Sequence, residues 1–250
     1  MDNKINTVSV FNVPIWNVTM NEAIIFIKKE IQQNNHLHHS VINAGKVVAM
    51  QQNKELRESV LSADIINADG AGIILASKIF GTPIKQRVTG IDLMENLIKM
   101  AHDNNCKIYF LGAKQDVLEK VIKHYSNLYS NEIVAGFQNG YFKKDEESKI
   151  AKQIAESGAN ILFVAMTSPK KENFLYDQNN ILKTINFIMG VGGSFDVVSG
   201  EVKRAPIWIQ KIGFEWFYRF VQEPKRMWKR YLIGNFKFLL LILKYKFKLK

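Results

Sequence analysis

The feature that most constrains the fold is an alternation of short apolar runs with longer segments of helical periodicity. Thr19-Met-Asn-Glu22 has the pattern of a capping box, which predicts that a helix begins there. Strands are predicted at 38–42, 64–68, 107–111, 132–135, 161–165 and 186–189, and helices at 47–61, 73–80, 116–129 and 146–156. Strands separated by long helices form βαβ units and a mostly parallel sheet. The sequence therefore predicts a Rossmann-like α/β fold with helices on both faces of the sheet.

The size and composition of the chain fit one globular core. Of its 250 residues 47% are apolar and 23% are charged, which excludes disorder as the main state. A single cysteine, Cys106, excludes an internal disulfide and favours a reducing compartment. The first 14 residues lack the pattern of a signal peptide, and the apolar run at 238–243 is far shorter than the about 20 residues of a membrane-spanning helix. We therefore expect neither secretion nor a transmembrane anchor.

The net charge of +11 lies entirely in residues 203–250, which carry 13 basic and 2 acidic side chains (13 − 2 = +11). Residues 1–202 carry 21 of each sign. Three of the four tryptophans also lie in the basic segment. The sequence therefore predicts a neutral α/β body, residues 1–202, and a helical basic and aromatic appendage, residues 203–250, that contacts an anionic or amphiphilic partner.

The appendage itself divides at two places. Pro224 is expected to break its first part into two helices. Residues 236–250 mix apolar side chains with lysines, a pattern typical of an interfacial membrane anchor in which each lysine near an anionic surface contributes about 1 kcal/mol. The alternative is a helix that packs on the body through its aromatic side chains. A nucleic-acid-binding tail is disfavoured, because the run at 238–243 is uninterrupted and apolar.

Residues that follow the predicted strands are candidates for a ligand site, because ligands of parallel sheets bind at the carboxyl ends of the strands. Most of the residues after the strands are small, and they include one acid, Asp69, and the lysine pair Lys170-Lys171. That composition lets a backbone approach a phosphate and supplies a carboxylate for proton transfer. The candidates are Asn43, Asp69, Gly112, Ala113, Gly136, Lys171, Gly192 and Gly193.

Asp69 is the candidate for proton chemistry. It follows an apolar strand and lies between Ala68 and Gly70, so its carboxylate is expected at the rim of the sheet, where it could act as a general base. An equally good interpretation from spacing alone is that Asp69 caps the helix at 73–80.

Cofactor and metal signals are weak. Gly190-Val-Gly-Gly193 could hold a diphosphate or form a plain tight turn, but it is not a dinucleotide fingerprint, so a nicotinamide cofactor is disfavoured. His36, His38 and His39 are interpreted as a surface loop that enters a strand, because no carboxylate or cysteine stands beside them at a ligand spacing. The chain also contains no Asp-x-Asp. We therefore expect neither a cofactor nor a metal.

Phosphate neutralisation would fall to arginine, whose guanidinium is a planar fork of donors, although any one of these side chains could equally be a solvated surface residue. The candidates are Arg87, Arg204, Arg219, Arg226 and Arg230.

An ordered series of motifs resembles a known family. In order along the chain these are Asn67-Ala-Asp-Gly70, Arg87-Val-Thr-Gly-Ile-Asp-Leu93, Ser168-Pro-Lys-Lys-Glu172, Gly190-Val-Gly-Gly-Ser-Phe-Asp196, Ser199-Gly200, Arg204-Ala-Pro206, Gly213-Phe-Glu-Trp216, Tyr218-Arg219, Glu223-Pro224, Arg226 and Arg230-Tyr231. The series resembles the WecG/TagA/CpsF glycosyltransferases, or glycosyltransferase family 26, from about residue 10 to residue 231. The first residues and the segment after Tyr231 are expected to lie outside the resemblance.

The resemblance implies an inverting, metal-independent transfer of a sugar from a UDP-sugar to a sugar on undecaprenyl diphosphate, at the inner face of a bacterial plasma membrane. It implies that Asp69 is the general base and that Arg87 lies in the same pocket. Residues 1–202 would be the catalytic domain, and Arg219, Arg226 and Arg230 would belong to an appendage that folds over the site and contacts the nucleotide diphosphate. We also include Asp196, Arg204 and Glu223, which lie in the matching motifs, among the substrate-binding residues.

Two positions depart from the family pattern. Lys171 replaces a glutamine that is common in the family, and Val41 replaces a common threonine. Both are expected to line the pocket, so the donor could be N-acetylmannosamine or a related hexosamine or hexuronate. A lysine there could favour a different donor or help to stabilise the leaving diphosphate.

Two other classes of function are weaker. A non-catalytic nucleotide- or nucleic-acid-binding protein would explain the basic tail but leaves Asp69 and the ordered motifs unexplained. A nucleotide-sugar dehydrogenase or epimerase lacks its dinucleotide fingerprint. The expected partners are therefore a UDP-sugar, a polyprenyl-diphosphate-linked acceptor and an anionic membrane, without nucleic acid, and homo-oligomerisation is left open.

Overall fold

The computed structural model of the chain describes residues 6–228 and 232–248. Its centre is a six-stranded parallel sheet in the order β4-β3-β8-β7-β5-β6. The strands are β3 (Leu37–Ile42), β4 (Ile65–Ala68), β5 (Ile108–Gly112), β6 (Val134–Gln138), β7 (Ile161–Ala165) and β8 (Phe187–Gly190). The predicted Rossmann-like α/β class is confirmed.

Helices cover both faces of this sheet. Those of the body are α1 (Met20–Gln32), α2 (Ala44–Met50), α3 (Lys54–Leu61), α4 (Ala71–Ile79), α5 (Gly90–Asp103), α6 (Gln115–Leu128), α7 (Glu147–Glu156), α8 (Lys170–Asp177), α9 (Asn179–Leu182) and α10 (Ser194–Val198). Those of the appendage are α11 (Ile207–Lys211), α12 (Glu215–Gln222), α13 (Pro224–Trp228) and α14 (Gly234–Lys248).

Buried apolar side chains explain why the strands are where they are. Every residue of β3, β4, β5, β7 and β8 is buried, as expected for parallel strands that helices cover on both sides. Alternate residues therefore belong to different layers: Phe110 and Phe163 face the layer under α5 and α6, whereas Leu111 and Val164 face the layer under α7 and α8.

Local signals set several of the helix starts. Thr19 Oγ1 accepts a hydrogen bond from Glu22 N, and Glu22 Oε2 accepts one from Thr19 N, so the predicted capping box is confirmed. The helix predicted over 47–61 is wrong as a single element. The first helix, α2, ends at Met50, and Asn53 caps α3 by accepting a hydrogen bond from Leu56 N, so two shorter helices result.

Two differences from the predicted strands concern the sheet edge and the N-terminal segment. The edge strand β6 begins after a short 3₁₀ turn at Asn131–Ile133 and extends to Gln138, so the predicted strand 132–135 lies too early. A separate antiparallel hairpin of β1 (Thr7–Val10) and β2 (Val13–Trp16), which the sequence did not predict, precedes α1.

Helix α14 packs on the body with one face and is exposed on the other. Phe238 and Ile242 are buried in a core cluster with the β1–β2 hairpin, α2 and α4, and a β-carbon at Gly72 would lie 3.1 Å from the Phe238 ring. The alternative of a helix that packs on the body through its aromatic side chains therefore holds for one face of α14, so residues 236–250 are not purely a membrane contact. The opposite face exposes Phe236, Leu239, Leu240, Leu243 and Phe247.

Pro224 starts α13 directly after α12, as predicted for a break between two helices. None of the helices within 6–228 and 232–248 is long and apolar enough to cross a membrane.

Candidate active site

Asp69 lies where β4 ends, beside the end of β3. Its backbone N–H donates to Ile42 O at 2.9 Å, and its Oδ2 lies 3.7 Å from the position of a β-carbon at Gly90. The N-cap of α4 is Gly70, without any side-chain cap bond, so the alternative in which Asp69 caps that helix is wrong. The carboxylate thus does not cap α4 and faces the start of α5, where it accepts a hydrogen bond from the Gly90 backbone N–H.

The surroundings of Asp69 bring its protonation close to neutral pH. Burial raises the pKa of Asp69 to about 6, and the nearby Glu215 carboxylate adds to this rise. Arg87, the Gly90 backbone N–H and Lys46 act in the opposite direction. A carboxylate with a pKa near 6 is mostly ionised at pH 7 and is a stronger base than an ordinary aspartate, which suits general base chemistry.

Arg87 reaches the same pocket from the loop before α5. Its Nη2 lies 3.4 Å from Glu215 Oε2 in the first turn of α12, so the appendage meets the body beside Asp69. The structure thus brings Arg87 and Asp69 together, as the sequence predicted. Glu215 was not among the predicted site residues, although its motif, Gly213-Phe-Glu-Trp216, carried part of the family resemblance.

Asn43 occupies the end of β3, next to Asp69. Its Oδ1 caps α2 by accepting a hydrogen bond from Lys46 N at 3.0 Å, and its β-carbon lies 3.5 Å from where one would stand at Gly70. Asn43 therefore orients the first turn of α2 against the Asp69 loop. Val41, the second departure from the family pattern, is buried within β3.

A buried cluster of three charges lies behind this pocket. Glu172 Oε1 is 2.8 Å from Lys46 Nζ and 3.4 Å from Lys171 Nζ, and all three side chains are buried. Burial lowers the pKa of Lys171 to about 8, whereas the two ammonium groups hold the pKa of Glu172 at about 2. Lys171 was predicted to line the pocket. The structure places its ammonium on Glu172, with its stem against Gly190.

Sequence reasoning did not select Lys46 or Glu172. Glu172 closes the Ser168-Pro-Lys-Lys-Glu172 motif and could have been noticed there. Lys46 carries no sequence signal of its own, since its role depends on a partner 126 residues away.

The end of β5 forms a turn of unusual backbone conformation, and the binding of a ligand by Gly112 and Ala113 stays a prediction. Gly112 has φ +117° and Ala113 has φ +57°, and a β-carbon at Gly112 would lie 2.5 Å from Ala165 O. Gly136 is different, because it lies inside β6 and a β-carbon there would meet the Tyr109 ring at 2.7 Å. The prediction of Gly136 in a ligand-binding loop after the strand is therefore wrong.

The loop after β8 faces the appendage. Gly192 has φ +54°, and a β-carbon at Gly193 would lie 2.7 Å from Arg219 Nη2 and 3.4 Å from Asp196 Oδ2. Arg219 Nε also lies 3.8 Å from Glu223 Oε2 one turn later in α12. The structure thus gathers Gly193, Asp196, Arg219 and Glu223 at one point of the rim, and their binding of the substrate stays a prediction.

Arg204, which was predicted to contact a phosphate, contacts carboxylates of α5 in the structure. Its guanidinium forms ion pairs with Asp92 and Glu95 on α5, the second at 3.8 Å, and so ties the start of the appendage to the body. The Arg226 side chain and the whole of Arg230 lie outside the part of the chain that the structure describes.

The histidine segment is buried, so its interpretation as a surface loop is wrong for two of its members. His38 and His39 are in β3, and burial lowers their pKa values to about 3 and about 4. His39 Nε2 lies 2.7 Å from Asn67 Oδ1, which is a structural contact beneath the site. Over residues 6–228 and 232–248 no three His, Cys, Asp or Glu side chains converge as a metal would require.

The outer surface of α11 and α12 is apolar. An open groove of about 260 Å³ is lined by apolar and aromatic side chains. They are Trp208, Ile209, Ile212, Phe214, Phe217, Tyr218 and Val221. Glu215 of α12 reaches Arg87, so α12 contributes both to this apolar groove and to the charged pocket.

The assembled site contains one carboxylate of raised pKa, the guanidinium groups of Arg87 and Arg219 and a glycine loop, with apolar surface beside it. Such a site can take a proton from a hydroxyl and bind an anionic leaving group. It belongs to a glycosyl transferase: the chain is a member of the WecG/TagA/CpsF family, whose family model matches residues 8–250. The match therefore continues through α14, and the expectation that the resemblance ends near residue 231 is wrong.

Two curated relatives are both named N-acetylglucosaminyldiphosphoundecaprenol N-acetyl-beta-D-mannosaminyltransferase. The protein from Bacillus subtilis (strain 168) is 32% identical over 228 residues, which cover 90% of this chain and 87% of the relative. The protein from Bacillus spizizenii (strain ATCC 23059 / NRRL B-14472 / W23) is 35% identical over 181 residues, 72% of this chain and 69% of the relative.

Proposed function

We propose that this protein is an inverting, metal-independent glycosyltransferase that moves a sugar from a UDP-sugar to a sugar on polyprenyl diphosphate, in the synthesis of a cell-surface polymer such as a teichoic acid. The observation that carries the proposal is the position of Asp69, a carboxylate with a pKa of about 6 at the carboxyl ends of β3 and β4. The names of the relatives supply the class of acceptor, a sugar on undecaprenyl diphosphate.

Asp69 acts as the general base. It accepts the proton of the acceptor hydroxyl while that oxygen attacks the anomeric carbon of the donor. The new glycosidic C–O bond forms as the bond between the anomeric carbon and the diphosphate oxygen breaks, and UDP leaves with the electron pair. A single displacement of this kind inverts the anomeric configuration.

Arginine takes the part that a divalent cation has in many sugar-nucleotide enzymes. Arg219, at the Gly193 turn, binds the leaving diphosphate, and Arg87 stabilises charge beside the base. We include Arg226 and Arg230 in the same role on the family resemblance alone. Transfer would therefore persist in EDTA.

The appendage, residues 203–250, completes this site and contacts the inner face of the plasma membrane. The contacts Arg87–Glu215 and Arg204–Glu95 hold it against the catalytic domain, residues 1–202. Its exposed apolar groove on α11 and α12, and the row that Leu239, Leu240 and Leu243 form on α14, are suited to the acyl boundary. Lysines of α14 would meet anionic headgroups.

The names of the relatives indicate only the class of the donor sugar. N-acetylmannosamine is the sugar in their names. A related hexosamine or hexuronate is the alternative, because this chain carries Lys171 and Val41 near the pocket.

A screen of UDP-sugars against a short-chain polyprenyl-diphosphate acceptor, read by mass spectrometry with and without EDTA, tests this function. We expect one donor to give a product heavier by one sugar, and Asp69→Asn to lose about 10²- to 10⁴-fold in turnover while it still binds UDP. The matched control is Asp116→Asn, an exposed aspartate in the first turn of α6. Near-normal turnover of Asp69→Asn would show that Asp69 is not the base, and failure of every donor would refute the transfer itself.

A further inference from the structure

The cluster of Lys46, Glu172 and Lys171 has a geometry that a purely structural ion pair does not need. Both ammonium groups are bound by the same oxygen, Glu172 Oε1, at 2.8 and 3.4 Å. Two positive charges therefore share one carboxylate in a buried space, and the cluster keeps a net charge of +1. An uncompensated buried charge is costly unless something nearby benefits from it.

The position of the cluster indicates that Asp69 is the group its net positive charge can stabilise. Lys46 lies in the first turn of α2, which begins at the end of β3, and the stem of Lys171 lies against Gly190 at the end of β8. Asp69 follows β4, on the other side of β3. Strands are spaced about 4.8 Å apart, so the end of β8 is about 10 Å from the end of β4. The net positive charge is thus within electrostatic reach of the carboxylate.

Gly190 makes this placement of Lys171 feasible. A β-carbon at residue 190 would lie 2.6 Å from Lys171 Cε and 2.8 Å from its Cδ, closer than non-bonded carbons can approach. The missing side chain leaves the channel through which the lysine stem reaches Glu172.

We propose that Lys171 is a positioning residue of the transfer reaction, which, bound with Lys46 to Glu172, keeps a buried positive charge behind Asp69 and so keeps the base ionised. The proposal rests on the proposed function, in which Asp69 is the base. Lys171, the residue that departs from the family pattern, then acts electrostatically on Asp69 and does not contact the sugar directly.

Other charged groups also face Asp69 and Lys171. Asp69 is also faced by Arg87 and Glu215, and those two oppose each other across their ion pair. Lys171 is faced by Lys46, Glu172 and Asp69, and by His39, whose lowered pKa of about 4 keeps it neutral above pH 5. Lys171 itself, with a pKa of about 8, is positively charged over the range in which Asp69 titrates.

The test is the pH dependence of turnover in Lys171→Gln. Loss of one positive charge about 10 Å away raises the pKa of Asp69, so the acid limb of kcat moves upward by on the order of one pH unit. At pH 6 the turnover of the variant, taken as a fraction of its own plateau, should then be about fivefold lower than that of the wild type, with little difference at pH 8. Lys171→Met, which keeps the apolar stem against Gly190, should give the same shift.

The double variant Lys171→Gln/Glu172→Gln distinguishes charge from structure. Removal of one positive and one negative group restores the net charge of +1, so the acid limb should return toward its wild-type position. A merely structural role predicts a further loss of activity and thermal stability with no return. Lys170→Gln is the matched control, since Lys170 Nζ donates to Gly140 O and Phe142 O instead, and its acid limb should not move.

A second measurement needs no turnover. The pKa of the Asp69 carboxyl can be measured by ¹³C NMR titration, with its signal identified by its absence in Asp69→Asn. A rise in Lys171→Gln supports the proposal even if no donor sugar is found. An unchanged Asp69 pKa in both Lys171→Gln and Lys171→Met, or a double variant that does not return toward wild type, overturns it.

Discussion

Arg87 Nη2 lies 3.4 Å from Glu215 Oε2, so an ion pair joins the loop before α5 to the first turn of α12. This contact connects the appendage to the group proposed as the base, because both side chains act on Asp69. Glu215 raises the pKa of Asp69 and Arg87 lowers it. The position of the appendage therefore affects how readily the base ionises.

Substitutions of the two partners should move the acid limb of kcat in opposite directions. In the wild type we expect turnover to rise with pH through about pH 6, as Asp69 loses its proton. Glu215→Gln removes a like charge, so the limb should move down by on the order of half a pH unit, whereas Arg87→Gln should move it up. Profiles of kcat from pH 5 to 8 measure both shifts. Glu201→Gln, in the exposed ion pair with Lys120, is the control, and a shift of both variants in the same direction would contradict the assignment.

Phe238→Ala should destabilise the whole body although the residue lies in the appendage. The side chain is 4% exposed, in a cluster with the β1–β2 hairpin, so its truncation leaves a cavity that costs about 3–5 kcal/mol. Phe236→Ala, two residues earlier and 64% exposed, should change the free energy of unfolding by less than about 0.5 kcal/mol. Urea unfolding followed by circular dichroism compares them. Equal stability of the two variants would mean that α14 does not pack as described.

Gly193→Ala should weaken UDP binding with little effect on folding. The new β-carbon would stand 2.7 Å from Arg219 Nη2, and the end of this flexible side chain must move away. Loss of a charge-assisted hydrogen bond to the diphosphate predicts a roughly tenfold rise in the Kd for UDP. Isothermal titration calorimetry can measure this. In Gly234→Ala, where a β-carbon has nothing within 4 Å, the Kd should not change; an unaltered Kd in Gly193→Ala would remove Arg219 from the diphosphate site.

Leu239→Ser/Leu243→Ser should reduce binding to vesicles that contain anionic lipid. Both side chains are about half exposed on the outer face of α14, so the change removes apolar surface for the membrane while the buried Phe238 and Ile242 stay in place. Loss of two leucine contacts predicts at least a tenfold weaker partition. Sedimentation with vesicles measures it at low and physiological salt. The control is Leu61→Ser/Leu128→Ser, on α3 and α6, and equal weakening by the control pair would show that α14 is not the membrane contact.

The parallel strands were predictable because of what buries them. Strands covered on both faces consist of continuous apolar residues, and β7 was predicted at its observed bounds for this reason. The β1–β2 hairpin was missed because its two-residue turn is Phe11-Asn12, both at positive φ, where Gly-containing dipeptides are the usual signal. The break between α2 and α3 was missed because the apolar period continues across it, whereas α2 ends at Met50 and Asn53 caps a new helix.

The site was predictable as far as strand ends define it. Asp69 and Asn43 were found because a parallel sheet brings the carboxyl ends of its strands together. Lys46 was not found, and Glu172 and Glu215 were seen only as letters of a motif, because their roles depend on partners 126 and 128 residues distant. Gly136 was misplaced because its strand begins two residues later than the apolar pattern suggests.

The packing of Phe238 and Ile242 into the cluster of the β1–β2 hairpin also affects how the chain is made. A ribosome delivers residues 10–84, which form most of that cluster, long before it delivers α14. This half of the body must therefore wait, with its apolar groove open, until residues 234–248 have emerged. With the proposed membrane contact of α14, closure of the core and binding to the bilayer would then compete for one segment during synthesis.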